Sequence, residues 1–306
     1  MRFQRNTILR LLAGLTLIAI LIYLSNPSAI LIAIRNANLR YILLSLPFYP
    51  LTMLVYTFRW RFIITMMGEH LPATDAFQAV VAGAFISDFT PARIGDFSKP
   101  YMIKDRIDVG KGLASVIIDH WADALTAALL GVIGFFGFLN IRNLNIMLIV
   151  FVPLLCLLTA LSLILQRGDL IMRVVHRINY IPLTVTASTF YESVSRIDNK
   201  ARLVEASVLI TCLVWIVYAA RIAIILKALD YNAPILQLIF LLPLVNMLSA
   251  LPFTISGLGL VESGMTLLLV ELGGPAPIGL SAALIDRALA VGFNLLVGSR
   301  YAARLL

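Results

Sequence analysis

Charge is scarce in this chain. Only 13% of its 306 residues are Asp, Glu, Lys or Arg, against 60% hydrophobic residues and a mean hydropathy of +0.95. That balance excludes an ordinary soluble globular domain. Histidine is nearly absent, and the three present stand apart at 70, 120 and 176, so no metal-ligand cluster is expected. The two cysteines, Cys156 and Cys212, lie inside apolar runs and read as small core residues, not as a disulfide or a metal pair. No G-x-x-x-x-G-K-[ST] loop occurs, so ATP is not the expected energy source, and no cofactor is expected. No A-x-A site follows the arginine-led apolar stretch through Leu24, which reads as a retained anchor and not a cleaved signal. The net charge of +8 fits short loops on an anionic membrane surface; with no soluble basic domain, nucleic acid is not an expected partner.

Long apolar runs recur throughout the chain. They predict an all-α polytopic membrane protein, a single integral membrane domain over residues 1–306. Six runs read as full spans: about 8–24, 41–58, 113–139, 146–165, 204–229 and 276–299. Segments 76–90 and 235–251 are apolar but end at Asp88 and at Pro252, and they read as re-entrant. Such segments must bury their broken backbone in protein or in a wet cavity. Arginines at the N-terminus, the basic segment 166–202 and the loop around Arg93, Lys99, Lys104, Arg106 and Lys111 all belong in the cytoplasm by the positive-inside rule. All three can do so only if 76–90 enters and returns. The expected location is the cell (inner or plasma) membrane with both termini cytoplasmic; Arg35 and Arg40 in a predicted outer loop count against this topology. Residues 169–179 read as a basic amphipathic helix in the headgroup plane or a plain surface linker.

Two stretches echo each other. Phe89-Thr-Pro-Ala-Arg-Ile-Gly95 is answered by Phe253-Thr-Ile-Ser-Gly-Leu-Gly259, an offset of 164 (259 minus 95), and Ile118-Asp119 by Ile285-Asp286, an offset of 167 (286 minus 119). The echo predicts two repeat halves, about 41–139 and 204–299, joined by span 146–165 and the basic segment 166–202. The charge pattern places the first motif toward the cytoplasm and the second outside, an inverted repeat. Polar, glycine-bearing breaks in the two halves of a membrane protein point to a transporter-type site at the repeat interface.

Substrate-binding candidates follow from intramembrane charge, which is costly and usually faces a cavity or a partner. Arg93 and Lys99 could hold a phosphate, the first as a planar fork and the second as a point charge. Asp96 could pair with either. Asp119 and Asp123 share a helical face, with Glu262, Asp286 and Arg287 in the other half. The alternative for the acids is mutual neutralisation, for instance Asp119 with Arg287, holding the halves together. Gly95 permits a tight or left-handed turn, and with Gly257 and Gly259 lets the tips approach a ligand. No catalytic residue is assigned; His120 beside two aspartates is weak evidence for catalysis. Arg59-Trp60-Arg61 reads as an interfacial anchor. Arg221 is left between snorkelling and lining the same cavity.

Arg59-Trp60-Arg61, Pro91-Ala-Arg-Ile-Gly-Asp96, Ile118-Asp119, Ser256-Gly-Leu-Gly-Leu-Val-Glu262 and Asp286-Arg287 follow one another in a recognisable order. In this the chain resembles the flippase-like family that includes the membrane portion of bacterial lysyl-phosphatidylglycerol synthases, over roughly residues 5–300. Two departures stand out: Asp96 replaces the family's Glu, and Ser256 the first glycine of its Gly-Gly-x-Gly. The resemblance implies a flippase-like lipid transporter, moving a phosphate-bearing lipid, aminoacylated or glycosylated, between leaflets. It also admits a glycosyltransferase or synthase partner, and a homo-oligomer is left open. Two rival readings stand beside it: a membrane-embedded lipid-modifying enzyme using Asp119, His120 and Asp123, and an accessory scaffold for a glycosyltransferase or synthase.

Overall fold

The computed structural model describes residues 2–138, 144–167, 172–173 and 181–303. These form helices α1 (Arg2–Leu24), α2 (Pro27–Arg35), α3 (Leu39–Ser45), α4 (Phe48–Met66), α5 (Ala73–Asp88), α6 (Lys99–Met102), α7 (Val109–Phe138) and α8 (Leu144–Gln166). After the basic segment come α9 (Ile181–Ser195), α10 (Lys200–Ala228), α11 (Ile235–Met247), α12 (Leu260–Glu271) and α13 (Ala276–Phe293). A π turn, Asn294–Gly298, carries α13 into a last short helix, α14 (Ser299–Ala302). The expected amphipathic helix 169–179 lies outside the described residues apart from Met172 and Arg173.

Among the described residues, five stretches are long and apolar enough to cross a membrane: Thr7–Leu24, Leu39–Met66, Val109–Phe138, Lys200–Ala228 and Ala276–Ala302. The sixth expected span, 146–165, corresponds to α8, a 23-residue helix without a charged residue. The second span runs further than expected, to Met66, because α4 continues through Arg59 and Arg61. Helix α2 is not among the expected elements; Asn26 accepts from the Ala29 N–H at its start and Pro27 sits in its first turn, where a missing N–H costs nothing.

Side-chain contacts fix which helix ends lie together. Glu69, before α5, pairs with Lys111 at the start of α7, and Asp75 in the first turn of α5 pairs with Arg106. The stretch from α5 to α7 therefore enters the bundle and returns to the end where α4 finishes, called here the Met66 end. At the opposite end, the Asn38 N–H donates to Ala228 O at 2.8 Å, joining the start of α3 to the finish of α10. There Tyr231 donates to Leu272 O at 3.5 Å, so the stretch α11–α12 also leaves and returns to one end, the Ala228 end. Asn199, which caps α10, lies at the Met66 end beside Met66, Glu69 and Lys111. Helices α4 and α10 thus run antiparallel against each other.

Small residues allow these re-entrant helices to sit inside the bundle. Ala76, Ala79 and Ala82 of α5 are fully buried, and α11 lies so close to α7 that a Cβ at Gly134 would fall 3.0 Å from the Phe240 carbonyl carbon. Close backbone approach of this kind is how helices associate where lipid gives no hydrophobic drive between them. The two tips meet at mid-molecule in an isolated antiparallel bridge, Pro91 to Ile255, with the Ser256 N–H donating to Thr90 O at 3.1 Å.

Candidate functional site

The eight charged candidates line two adjoining cavities. One, about 230 Å³, is walled by Arg59, Asp96, Lys99, Asp119, His120 and Asp123. The other, about 160 Å³, is walled by Tyr49, Asp88, Arg221, Glu262, Asp286, Arg287 and Asn294. Arg93 lines both, together with Tyr56, Asn246 and Ser249.

Most of the charge on these walls is already matched. Arg59 is fully buried; its Nε donates to Asp119 at 2.8 Å, its two terminal nitrogens hold the Asp123 carboxylate, one at 3.0 Å, and Nη1 also donates to Thr211 at 2.8 Å. A planar fork holding two carboxylates is the arrangement in which a buried arginine is best compensated. The sequence reading of Arg59-Trp60-Arg61 as a headgroup anchor is therefore corrected: Trp60 is buried too, donating to Ser115 at 2.9 Å, because α4 extends beyond them. Lys99 is buried, with its ammonium 3.3 Å from Asp119 Oδ2, 3.8 Å from Asp96 and 5.3 Å from the Trp60 ring centre. In the second cavity Arg221 pairs with Asp286 at 2.8 Å, packed 4.2 Å from the Tyr49 ring centre and 4.5 Å from that of Tyr218. Of the two placements open to it, Arg221 takes the cavity wall. Arg287 pairs with Glu262 and reaches Ser256 O at 3.4 Å. The neutralisation suggested between Asp119 and Arg287 does not occur; each finds its partner within its own half.

Arg93 differs. Half-buried at the junction of both cavities, its guanidinium has no hydrogen-bond or ion-pair partner among the described residues, while every other cavity-lining arginine or lysine has one. Its backbone is left-handed, φ 54°, as is that of Ala92 at φ 53°. Side chains with a Cβ pay about 1–2 kcal/mol there, and strain of this kind gathers at functional sites. Of the tight or left-handed turn expected at Gly95, the tight turn is what Gly95 takes, and the left-handed residues are Ala92 and Arg93. Gly95 serves close approach: a Cβ would lie 2.2 Å from the Ser87 nitrogen, and its N–H donates to Thr90 Oγ1 at 2.9 Å. Gly257 (φ 69°) and Gly259 (φ 83°) do take left-handed backbone in the second tip, and the Gly259 N–H donates to Glu262 Oε2 at 2.7 Å at the start of α12.

Several wall residues are not singled out by the sequence pattern. Asn294 donates to Asp88 at 2.8 Å, yet its amide oxygen and the indole N–H of Trp215 are buried without a partner. A signal for Arg59 and Arg221 exists: Tyr56-Thr-Phe-Arg59 and Tyr218-Ala-Ala-Arg221 repeat at an offset of 162 (221 minus 59).

Fold and site together define an all-α polytopic membrane protein whose buried charges line internal cavities. The sequence profile of the lysylphosphatidylglycerol synthase TM region matches residues 11–298, and the chain belongs to that family. It is similar to a UPF0104 membrane protein of Methanocaldococcus jannaschii, 28% identical over 126 residues. That alignment covers 40% of this chain and spans 37% of the length of the relative. No solved structure matches.

Proposed function

We propose that this protein is a lipid transporter of the flippase kind, in which Arg93 receives the phosphate of a lipid headgroup passing between the two cavities while the acyl chains stay in the bilayer. The observation that carries the reading is the unpartnered guanidinium at the junction of both cavities. An arginine fork suits phosphate, and this is the cavity-lining cation not already held by an acid. Membership of a family named for the membrane region of a lipid synthase supports a lipid as the ligand. Aminoacylated and glycosylated headgroups both remain within the proposal.

An inverted repeat is part of the same proposal. It is supported by antiparallel α4 and α10, by re-entrant stretches that return to opposite ends, and by the tip bridge between equivalent motifs. Cytoplasmic placement of the Met66 end is supported by Lys104, Arg106, Lys111, Arg196 and Arg202 gathering there. The enzyme alternative has against it that Asp119 and Asp123 are both engaged by Arg59.

The test is mass spectrometry of lipids retained by the purified protein, comparing wild type with Arg93→Ala and Arg93→Lys. A phosphate-bearing class enriched over bulk membrane in wild type, lost in Arg93→Ala and partly kept in Arg93→Lys, is the expected result. Identical bulk lipid in all three would remove the support for a phosphate site and favour the scaffold reading.

A further inference from the structure

The two ion-pair clusters are versions of one another in more detail than the sequence motifs reveal. At the offset of 162, Tyr49 answers to Thr211, Tyr56 to Tyr218 and Arg59 to Arg221 (211 minus 49, 218 minus 56, 221 minus 59). At the offset of 167, Asp119 answers to Asp286. In each half an arginine on the first long helix, α4 or α10, clasps a carboxylate on the last, α7 or α13. In each, a tyrosine one turn before the arginine lies under its guanidinium, at 5.2 Å for Tyr56 and 4.5 Å for Tyr218.

The closing contact of each clasp comes from the other half. Thr211 of α10 accepts from Arg59 at 2.8 Å, and Tyr49 of α4 donates to Asp286 at 2.9 Å. Thr211 and Tyr49 are the equivalent positions, so the exchange is reciprocal. The clasps also lie toward opposite ends. Asp119 is ten residues into α7, which starts at the Met66 end; Asp286 is ten residues into α13, which starts at the Ala228 end (119 minus 109, 286 minus 276). At 1.5 Å per residue each carboxylate is about 15 Å in from its own end. Arg93 lies where the two cavities meet, one walled by each clasp.

We propose that the two clasps are the gates to Arg93 from opposite faces of the membrane, and that Tyr49 and Thr211 are positioning residues that couple them. The proposal rests on the phosphate reading only for what passes through. To admit a headgroup from the Met66 side, α4 and α7 must part at Arg59; from the Ala228 side, α10 and α13 must part at Arg221. Because each closing hydroxyl rides on the other half's first helix, a shift of α10 against α4 alters both contacts together. The state of one gate is thereby transmitted to the other.

Asn246 lines both cavities and can carry a reporter thiol. The protein is Asn246→Cys with Cys156→Ala and Cys212→Ala, labelled by a membrane-impermeant thiol reagent in right-side-out and inverted vesicles without added lipid ligand. Thr211→Val removes one hydroxyl and is expected to raise labelling from the Met66 side by about tenfold, the order expected for one hydrogen bond to a charged group. Tyr49→Phe is expected to do the same from the Ala228 side, and Thr211→Ser to behave as the parent. The proposal is overturned if each single variant opens both sides equally, if neither changes accessibility, or if Thr211→Ser labels like Thr211→Val. Arg93→Ala in the same background is expected to leave the sided pattern intact, so failure of the gates and failure of the phosphate site read out separately.

Discussion

The two tips are built from the same motif but use it differently. In the first, glycine provides proximity: Gly95 sits against the backbone of α5, and the left-handed residues are Ala92 and Arg93. In the second, Gly257 and Gly259 take the left-handed backbone beside Ser256 at φ 48°, and the tip ends in a helix start capped by Glu262. The first tip thus holds two non-glycine residues, one of them charged, in a conformation that costs free energy, whereas the second holds one, Ser256, takes its other left-handed positions with glycine and ties its acid to Arg287. What differs between them is where polarity is left unmatched. In the first tip it is the Arg93 side chain; in the second the charges are closed upon themselves.

Four experiments can break or sharpen this contrast, taken from the largest expected effect. Arg59→Ala removes the partner of half-buried Asp123 and one of the two cations on Asp119, and should cost about 3–5 kcal/mol, more than Arg221→Ala, which removes the cation from Asp286 alone. Thermal unfolding in detergent measures both, and equal losses would mean that the second carboxylate adds nothing. Gly95→Ala should cost about 3 kcal/mol by forcing a Cβ onto the Ser87 backbone, and protein yield together with melting temperature would register it. Arg93→Ala should shift stability by less than about 1 kcal/mol, because no partner is lost, while abolishing retention of the phosphate lipid. A large destabilisation there would mean that Arg93 is a structural residue. Ala92→Gly should stabilise by about 0.5 kcal/mol, as relief of left-handed strain outweighs the extra flexibility of glycine in the unfolded chain; a loss of stability would show the strain to be negligible.

Much of the architecture is legible in the amino-acid order alone. Apolar runs mark the spans, and Pro252 and Gly257 mark the second break, because burial in hydrocarbon and backbone permissiveness are local properties. The candidate charges are legible for a related reason, since a charge within an apolar run stands out against its neighbours. Arg59 is misplaced by hydropathy, which ends a span where charges begin. Two turns of α4 lie beyond that point, and the carboxylates that make them tolerable are 60 and 64 residues away. Which of the two turns Gly95 serves is not legible locally, because its reason for being glycine is the backbone of another segment, not its own φ.

The sequence by itself determined the membrane class, the positions of the helix breaks and the doubled motifs, since each depends on composition or on spacing along one strand of chain. Tertiary structure alone decided which acid meets which base, and that Arg93 is left over. Six acids and five arginines or lysines line the two cavities, and many pairings are compatible with their order in the chain. Selecting among those pairings requires the depth and rotation of packed helices. These are set by small-residue contacts such as that of Gly134 with Phe240, which no local pattern encodes.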